Sequence, residues 1–250
     1  VVPVFETRFH RTLWLLGGRR GAQIEVALDV GEVVAGERRQ PICEVELELK
    51  AGQPDALFAL ALEWAGAFDC LPFDISKAER GVRLAHGVEA VPVKSVPLAL
   101  DDGMSVEEGF AAIVQACLAQ FQGNLPGGLA SGDIEYVHQA RVALRRLRAA
   151  LRLFGKTCAL PPELLDSLRT LAAALGPARD WDVLCSETLP AIAPHYPEAA
   201  VWQRGMQALE SHRTGVREAM RDALTQARPG AWLLAMQRWL LQHGWRADPA

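Results

Sequence analysis

The chain has 250 residues, of which 50% are hydrophobic and 22% are charged, and its formal net charge is −4. This length and composition fit two domains with cores of their own, and the acidic balance disfavours a general nucleic-acid coat or a basic membrane binder. The sequence holds no apolar run near the roughly 18 residues of a membrane span, and its 5 scattered cysteines, with no C-x-x-C pair, predict reduced thiols in a cytoplasmic protein rather than disulfides or a zinc site.

The first third of the chain is predicted to be largely β-structure. β-Branched and aromatic residues dominate the first predicted strand, and polar and apolar residues alternate in the next two. Three strands of an antiparallel meander are therefore expected at residues 4–16, 23–30 and 41–50. A helix is predicted at residues 54–66, since Pro54 suits the first position of a helix, and residues 73–85 are interpreted as a final strand.

The remainder of the chain is predicted to be helical after a linker. Residues 87–104 contain proline and glycine without helical periodicity, and Ser105 then opens a capping box. Glycine and proline at residues 123–128 and at Gly176-Pro177 are interpreted as helix ends. Helices are expected at residues 105–122, 133–154, 162–175, 178–188, 197–226 and 230–243.

Acidic residues alternate along the third predicted strand. Because successive strand side chains point to opposite faces, several charged residues share one face: Glu44, Glu46, Glu48 and Lys50. In the second strand Glu25 and Asp29 alternate with apolar residues, so pairing of the two strands would cluster the acids. Like charges that face one another destabilise a sheet, and either a divalent cation or basic side chains would offset them. The alternative is a half-exposed sheet whose polar face is simply solvated.

Several segments of the first third resemble the second half of a CYTH domain, the triphosphate tunnel fold: Pro3-Val4-Phe5, Arg11-Thr12-Leu13-Trp14-Leu15, residues 23–36 and 41–49, and Ser76-Lys77-Ala78-Glu79-Arg80-Gly81. That fold is an antiparallel β-barrel with a polar lumen, and its members bind triphosphates together with a divalent cation. The resemblance implies a hydrolase that cleaves inorganic triphosphate, or a related triphosphate, with Mg²⁺ or Mn²⁺ as cofactor.

The same resemblance implies roles for individual side chains. Glu44 and Glu46 are implied as catalytic residues and metal ligands, and Asp29 is implied as a further metal ligand. Substrate binding is implied for Lys77 and Glu25, and for an arginine of the first strand.

Two arginines are candidates for that substrate-binding position. In a regular strand Arg11 shares a face with Phe9 and Leu13, whereas Arg8 shares the opposite face with Glu6. Either a β-bulge re-aims Arg11 into the lumen, or Arg8 is the lumen residue.

The E-x-E-x-K strand of the family would precede Val1, so we expect the first barrel strands to be missing. This chain is then part of a longer parent protein and nearly inactive by itself.

A basic stripe is the sharpest physical signal in the helical part. At about 100° per residue, its members fall within an arc of roughly 80°: His138, Arg141, Arg145, Arg148 and Arg152. No Asp or Glu interrupts residues 137–154, although a solvated face normally mixes charges because like charges at i,i+4 repel. Guanidinium groups bind phosphate oxygens in bidentate geometry, so the stripe indicates binding of a polyanion. The alternative is an exposed face paired with acids of other helices, such as Glu163 or Asp166.

Two other charged clusters are weaker signals. A second row of arginines has acids interleaved, which predicts a solvated face: Arg213, Arg217 and Arg221. Arg179 lies beside Asp180 and Asp182 shortly after Gly176-Pro177, which predicts the charge arrangement of a helix N-terminus.

Two segments of the helical part resemble a CHAD domain, a conserved-histidine α-helical domain: His138-Gln139-x-Arg141-Val142-x-x-Arg145-Arg146-Leu147-Arg148 and Leu175-Gly176-x-x-Arg179-Asp180-x-Asp182-Val183. Members are bundles of two repeated helical halves around a basic cavity, and they bind inorganic polyphosphate. The resemblance implies these polyphosphate ligands: His138, Arg141, Arg145, Arg148, Arg152 and Arg179. The second half of the domain is expected to be incomplete.

The expected architecture is α+β, with an antiparallel β-barrel portion followed by an all-α bundle. Residues 1–86 are assigned to the CYTH domain, 87–104 to the linker and 105–250 to the CHAD domain. The expected function is that of a bacterial cytoplasmic triphosphatase whose helical domain binds polyphosphate, and the alternative is a non-catalytic polyphosphate-binding protein. No membrane partner is expected, and no nucleic-acid partner either, because aromatic residues are not interleaved with the arginines.

Overall fold

The computed structural model describes residues 3–18, 21–195 and 198–246. Two units divide the chain, Val1–Val91 and Pro92–Ala250. The first unit contains a β-sheet with two helices and the second is helical, so the expected α+β class is confirmed. Within the described ranges, no helix combines the length and apolar character required to cross a bilayer.

The sheet of the first unit is an antiparallel meander. Its strands are β1 (Glu6–Gly17), β2 (Gln23–Ala35) and β3 (Arg38–Ala51), in the spatial order β1-β2-β3. The three expected strands are thus confirmed. Strands β2 and β3 are longer than the sequence pattern indicates, whereas β1 begins two residues later than expected and has 12 residues. Across the described residues the sheet stays open rather than closing into a barrel. Its register shifts once, between Gln23 and Ile24, at the end of the β2–β3 pair that lies away from the connecting turn.

Two helices complete the first unit, α1 (Pro54–Ala67) and α2 (Lys77–His86). The predicted α1 is confirmed, but the final strand predicted at residues 73–85 is wrong. Ser76 caps α2 by accepting a hydrogen bond of 3.1 Å from the backbone of Glu79, and Gly87 ends the helix with a φ of 64°. The Ser-x-x-Glu sequence that starts at Ser76 is a helix-start signal, and it outweighs the apolar residues that suggested a strand.

A glycine lets α2 lie close to β1. A Cβ atom on Gly81 would come within 2.1 Å of the Phe5 ring, so a larger residue there would push the helix away from the sheet. This close packing brings the first turn of α2 to the polar face of the sheet.

The second unit contains the remaining helices. They are α3 (Val106–Ala130), α4 (Ile134–Phe154), α5 (Pro162–Val183), α6 (Leu189–Ile192), α7 (Ala199–Gln226) and α8 (Pro229–Leu241). A π-helical turn, Leu184–Thr188, joins α5 to α6, and a 3₁₀ turn, Ala193–His195, follows α6. The core contains large side chains from several of these helices, among them Phe110, Phe121, Leu147, Leu168 and Met236.

Two expected helix ends lie inside continuous helices instead. Helix α3 runs through Pro126 to Ala130, and α5 runs through Pro177, so the breaks predicted at both places are wrong. An internal proline removes one backbone donor, and tertiary packing offsets that loss here. A Cβ atom on Gly127 would lie 2.3 Å from the Tyr136 ring, so this glycine serves the packing of α3 against α4 rather than ending a helix.

Part of the expected linker is fixed to the helical unit. Residues 88–105 form no helix or strand. Yet the buried Asn124 side chain of α3 accepts a hydrogen bond of 3.0 Å from the Val93 amide and donates one of 2.8 Å to the Val93 carbonyl. An amide side chain that satisfies both backbone groups of one residue holds that residue much as a neighbouring strand would.

A buried ion pair joins α5 to α7. Arg217 donates to both carboxylate oxygens of Asp182 at 3.2 and 3.1 Å, and its other terminal nitrogen lies 3.3 Å from the Ser131 carbonyl. Both side chains are buried, so the solvated role predicted for Arg217 is wrong, as is the N-terminal position predicted for Asp182. Burial raises the pKa of Asp182 above its ordinary value, although the nearby guanidinium groups oppose this.

Replacing Arg217 tests this pair. Arg217→Met leaves the Asp182 carboxylate buried without its main partner, and loss of one member of a buried pair costs roughly 3–5 kcal/mol. We expect a loss of that size in urea unfolding followed by circular dichroism. The matched control is Arg169→Met, since Arg169 forms an exposed pair with Asp166 within one helix and such pairs contribute less than about 1 kcal/mol. Equal stability of the two variants would contradict a structural role for Arg217.

Candidate functional site

A row of charged side chains crosses the sheet of the first unit. In the strand register Arg11 lies opposite Asp29, and Asp29 lies opposite Glu44. Residues that face each other in an antiparallel sheet project from the same side. Glu46, two residues beyond Glu44 on β3, extends this side, which we call the carboxylate face and define by Asp29, Glu44 and Glu46. The sequence pattern correctly predicts that these acids share one face.

The register also places the two candidate arginines of β1. Pairing between β1 and β2 is continuous, so Arg11 reaches the carboxylate face without a bulge. Arg8 projects from the opposite side, where it donates a hydrogen bond of 2.7 Å to Glu6. Phe9 and Leu13, which share the side of Arg11, are exposed. Their apolar character had suggested a core-facing side, and their exposure explains how Arg11 can serve a polar surface.

The three carboxylates of this face lie close enough to share one cation. One oxygen from each of Asp29, Glu44 and Glu46 lies within 4.8 Å of the others. Asp29 is fully buried, whereas Glu44 and Glu46 are partly exposed, so the cluster opens from the sheet toward solvent.

Arg11 and Lys77 bind these carboxylates from two directions. Arg11 donates from Nε and Nη2 to the two oxygens of Asp29 at 2.7 and 2.6 Å, and from Nη2 to Glu46 at 2.6 Å. Lys77, in the first turn of α2, lies 2.7 Å from Asp29 and 2.6 Å from Glu46, and it also contacts Glu44. The structure therefore brings together the predicted metal ligands and two predicted substrate-binding residues.

Arg80 and Phe9 join the cluster without having been predicted. Arg80 pairs with Glu44, and among the described residues its buried Nε has no hydrogen-bond partner. The Phe9 ring centroid lies 5.5 Å from the Arg11 guanidinium carbon and 5.2 Å from Lys77 Nζ, a distance at which cations are attracted to aromatic rings. Arg80 follows Lys77 by three residues, so the same helix face carries both. Recognition of the helix start at Ser76 would have predicted that Lys77 and Arg80 lie on the same face of one helix.

The basic side chains change the acidity of the cluster. Hydrogen bonds from Arg11, with a further contribution from Lys77, lower the pKa of Asp29 to about 2 against the opposing effect of burial. Lys77 likewise lowers the pKa of Glu46. Burial would lower the pKa of Lys77, but its hydrogen bonds to the carboxylates outweigh that effect and raise it. Asp29, Glu46 and Lys77 are therefore all charged at neutral pH.

Glu25 lies on the same side of the sheet but outside the cluster. It faces Glu48 across the β2–β3 pair. Lys50 lies 3.3 Å from Glu25 and 2.8 Å from Glu48 and so offsets the repulsion between these two like charges.

The donor set of the carboxylate face suits a hard divalent cation. Three carboxylates offer the oxygen ligands that Mg²⁺ and Mn²⁺ prefer. Their present partners are ammonium and guanidinium groups, which a divalent cation can replace without leaving a buried charge unpaired.

The basic stripe of α4 is the second candidate site. Arg145, Arg148 and Arg152 are exposed, and none of them forms an ion pair within residues 3–18, 21–195 and 198–246. All three line a cavity of about 640 Å³ between α4, the following loop and α5, with Arg169 on its far side. The suggested partner Asp166 pairs instead with Arg169, at 2.8 Å.

The other predicted polyphosphate ligands are less free. His138 is half-buried, and Arg141 lies 4.0 Å from Asp180. Arg179 lies 3.1 Å from Glu187 in the π-helical turn. The structure thus groups the C-terminal half of the stripe around the cavity and gives Arg141 and Arg179 acidic partners.

Comparison with known proteins places each unit. A family model described as the CYTH domain matches residues 1–82, and one described as the CHAD domain matches residues 112–250. An inorganic triphosphatase of Haemophilus influenzae is 42% identical over 89 residues, which cover 33% of this chain and 23% of that protein. The crystal structure of the CHAD domain from the plant Ricinus communis superposes with a TM-score of 0.57 at 34% identity, over 64% of this chain and 54% of that one.

The acidity of Asp29 predicts how stability depends on pH. Its pKa is about 2 in the folded chain and about 3.9 in an unfolded one, so folding favours the ionised form. This contribution is fully present above about pH 4 and is lost as the pH falls toward 2. We expect urea unfolding of the Asp29→Asn variant to show a weaker pH dependence over that interval. Glu48→Gln, at an exposed carboxylate, is the control, and an unchanged profile for Asp29→Asn would contradict the assignment.

Proposed function

We propose that this chain, which belongs to the CHAD domain family, takes part in metal-dependent hydrolysis of inorganic triphosphate. The proposal starts from the CYTH domain that precedes its CHAD domain. The observation that carries the proposal is the carboxylate face, where three acids meet Arg11, Lys77 and Arg80. The name of the Haemophilus influenzae relative supports inorganic triphosphate as the substrate. The match to that relative covers 33% of this chain.

Charge balance at the carboxylate face suits a polyanionic substrate. The three carboxylates and the three basic groups cancel one another as they stand. A bound divalent cation would leave the site positive, and a triphosphate would neutralise that excess. Phosphoryl transfer requires mainly positioning and stabilisation of charge on the phosphate oxygens, which guanidinium and ammonium groups supply.

Each residue of the face has a proposed role. Asp29, Glu44 and Glu46 hold the cation, Mg²⁺ or Mn²⁺, which when bound supplies charge neutralisation and a more acidic water. Arg11 and Lys77 donate hydrogen bonds to phosphate oxygens, and the buried carboxylate of Asp29 positions Arg11. The register favours Arg11 over Arg8 as the substrate arginine.

Two further residues are assigned to the rim of the site. Arg80 adds a third donor, since its buried Nε has no hydrogen-bond partner in the part of the chain that the structure describes. Glu25 is proposed to act on substrate through Lys50, which it positions.

Neutralising single carboxylates tests the hydrolysis proposal. Glu44→Gln or Glu46→Gln removes a ligand of the cation, so the rate of phosphate release from inorganic triphosphate should fall more than tenfold. Release is measured on the natural protein in which this chain occurs, with Mg²⁺ or Mn²⁺ and again after chelation. Glu32→Gln is the matched control, because Glu32 pairs with Arg39 on the opposite side of the sheet.

Two outcomes would contradict the proposal. Release that persists after chelation would exclude a required cation, and unchanged rates in both cluster variants would place the chemistry elsewhere. Binding of polyphosphate without any metal-dependent release would support the non-catalytic alternative.

The stripe of α4 supports a second proposal, binding of inorganic polyphosphate. Three guanidinium groups that have no acidic partner among the described residues line a cavity that an extended anion can enter. A solvated face would place acids among them, and one of the two acids suggested as partners by the sequence, Asp166, is already paired with Arg169. Arginine is suited to this role because its planar fork matches phosphate oxygens.

Removing two stripe arginines tests polyphosphate binding. Arg145→Ala with Arg148→Ala should weaken binding at least tenfold, and wild-type affinity should fall steeply as salt rises. Thermal stability should stay unchanged or increase, because like-charge repulsion is relieved. Arg39→Ala with Arg204→Ala removes the same charge elsewhere and serves as the control. Equal affinity for both double variants would contradict the proposal, and tighter binding of duplex DNA would favour a nucleic-acid partner.

A further inference from the structure

The ammonium group of Lys77 lies at the centre of the carboxylate face. Its Nζ is 2.7 Å from Asp29 Oδ2 and 2.6 Å from Glu46 Oε1, and it also contacts Glu44 Oε1. An ammonium group has three donors and no acceptor. Each of its N–H bonds therefore has one carboxylate of the cluster as its partner, and the side chain is only 13% exposed.

The other basic groups of the cluster lie at its edges. Arg11 contacts Asp29 and Glu46, and Arg80 contacts Glu44. Among the described residues, Lys77 is the one cation that contacts all three carboxylates. The oxygens that it contacts belong to the same acids that would hold a divalent cation, and two cations cannot share one coordination centre.

We propose that Lys77 acts as an internal substitute for the divalent cation, holding the three carboxylates together until the cation displaces it. The inference rests on the proposed function, since it presupposes a cation site at this face. On displacement, the ammonium is released toward the open side of the cluster, where it becomes a donor for a phosphate oxygen. Metal loading and triphosphate binding are then coupled, because the first frees a ligand for the second.

The chemistry of lysine suits this exchange. Its ammonium is a compact charge on a flexible four-carbon chain, whereas the guanidinium of arginine is a rigid fork that binds two oxygens at once. Arg11 forms such a fork on Asp29 and can remain there during the exchange. The released ammonium can form a cation–π contact with Phe9, since the ring centroid lies 5.2 Å from Nζ and the residue is exposed.

Chemical labelling of the wild-type chain tests displacement directly. Lysines of the 250-residue chain are acetylated briefly with and without saturating Mn²⁺, and the extent at each lysine is measured by mass spectrometry. We expect Mn²⁺ to increase labelling of Lys77 at least fivefold. The labelling of Lys50 should stay unchanged, because this lysine lies outside the cluster. Lys50 is a matched control since it also pairs with two carboxylates.

Metal affinity supplies an independent measurement. Free Mn²⁺ is titrated by electron paramagnetic resonance with the wild-type chain, Lys77→Met and the control Lys50→Met. Each variant removes one positive charge near acids, but Lys77→Met alone removes the competitor. We expect its Kd for Mn²⁺ to tighten at least tenfold, and that of Lys50→Met to change less than threefold.

The outcomes separate this inference from the proposed function. If wild type binds Mn²⁺ but the labelling of Lys77 does not rise, or both variants tighten equally, the displacement is overturned and the metal site stands. If no form of the chain binds Mn²⁺, the metal site itself fails and the inference fails with it. The labelling experiment uses only wild-type protein, so it can refute the inference even if Lys77→Met misfolds.

Discussion

The interaction between Asp29 and its basic partners is the constraint on which the first unit depends. A fully buried carboxylate in the middle strand of a sheet is stable only if it is paired, because an isolated buried charge carries a large desolvation cost. Arg11 from β1 and Lys77 from α2 provide that pairing. The same pairing fixes β1 against β2 and anchors the first turn of α2 above the sheet. The site and the fold are therefore held by one set of contacts.

In the helical unit, burial and pairing separate arginines with structural roles from those available to ligands. Arg217 is buried against Asp182 and joins α5 to α7. Arg145, Arg148 and Arg152 are exposed, without acidic partners in the described part of the chain, and they line one cavity. Arg217 cannot turn to a ligand without leaving the buried Asp182 carboxylate without its main partner. Exposed arginines carry no such constraint, which favours the second group as the polyanion-binding surface.

Local patterns in the sequence predict the sheet and its charged side well. A period of two fixes which side chains of β2 and β3 share a side, so the amino-acid sequence alone is enough to group Asp29, Glu44 and Glu46. What periodicity does not fix is which apolar side is covered. Phe9 and Leu13 are apolar but exposed, so periodicity does not decide whether Arg11 or Arg8 lies on the charged side of the sheet. Only the strand register places Arg11 opposite Asp29.

Features that depend on distant contacts could not be predicted. Helix α2 is the exception, because its start signal at Ser76 is local and outweighs the apolar residues that suggest a strand. Pro126 and Pro177 suggest helix ends because each removes one hydrogen bond, yet packing across the unit offsets that cost. The burial of Arg217 depends on Asp182, 35 residues away in the sequence. No local pattern indicates that pairing.

The proposed function and the proposed exchange at Lys77 both depend on a cation site formed by Asp29, Glu44 and Glu46 on the carboxylate face. Anomalous scattering from a crystal of the chain grown with Mn²⁺ tests it most directly, because the anomalous difference map locates the ion without reference to activity. The account predicts a peak bounded by oxygens of those three residues, with Lys77 Nζ moved out of the cluster. A peak at another position, with Lys77 still bound to all three carboxylates, would contradict it.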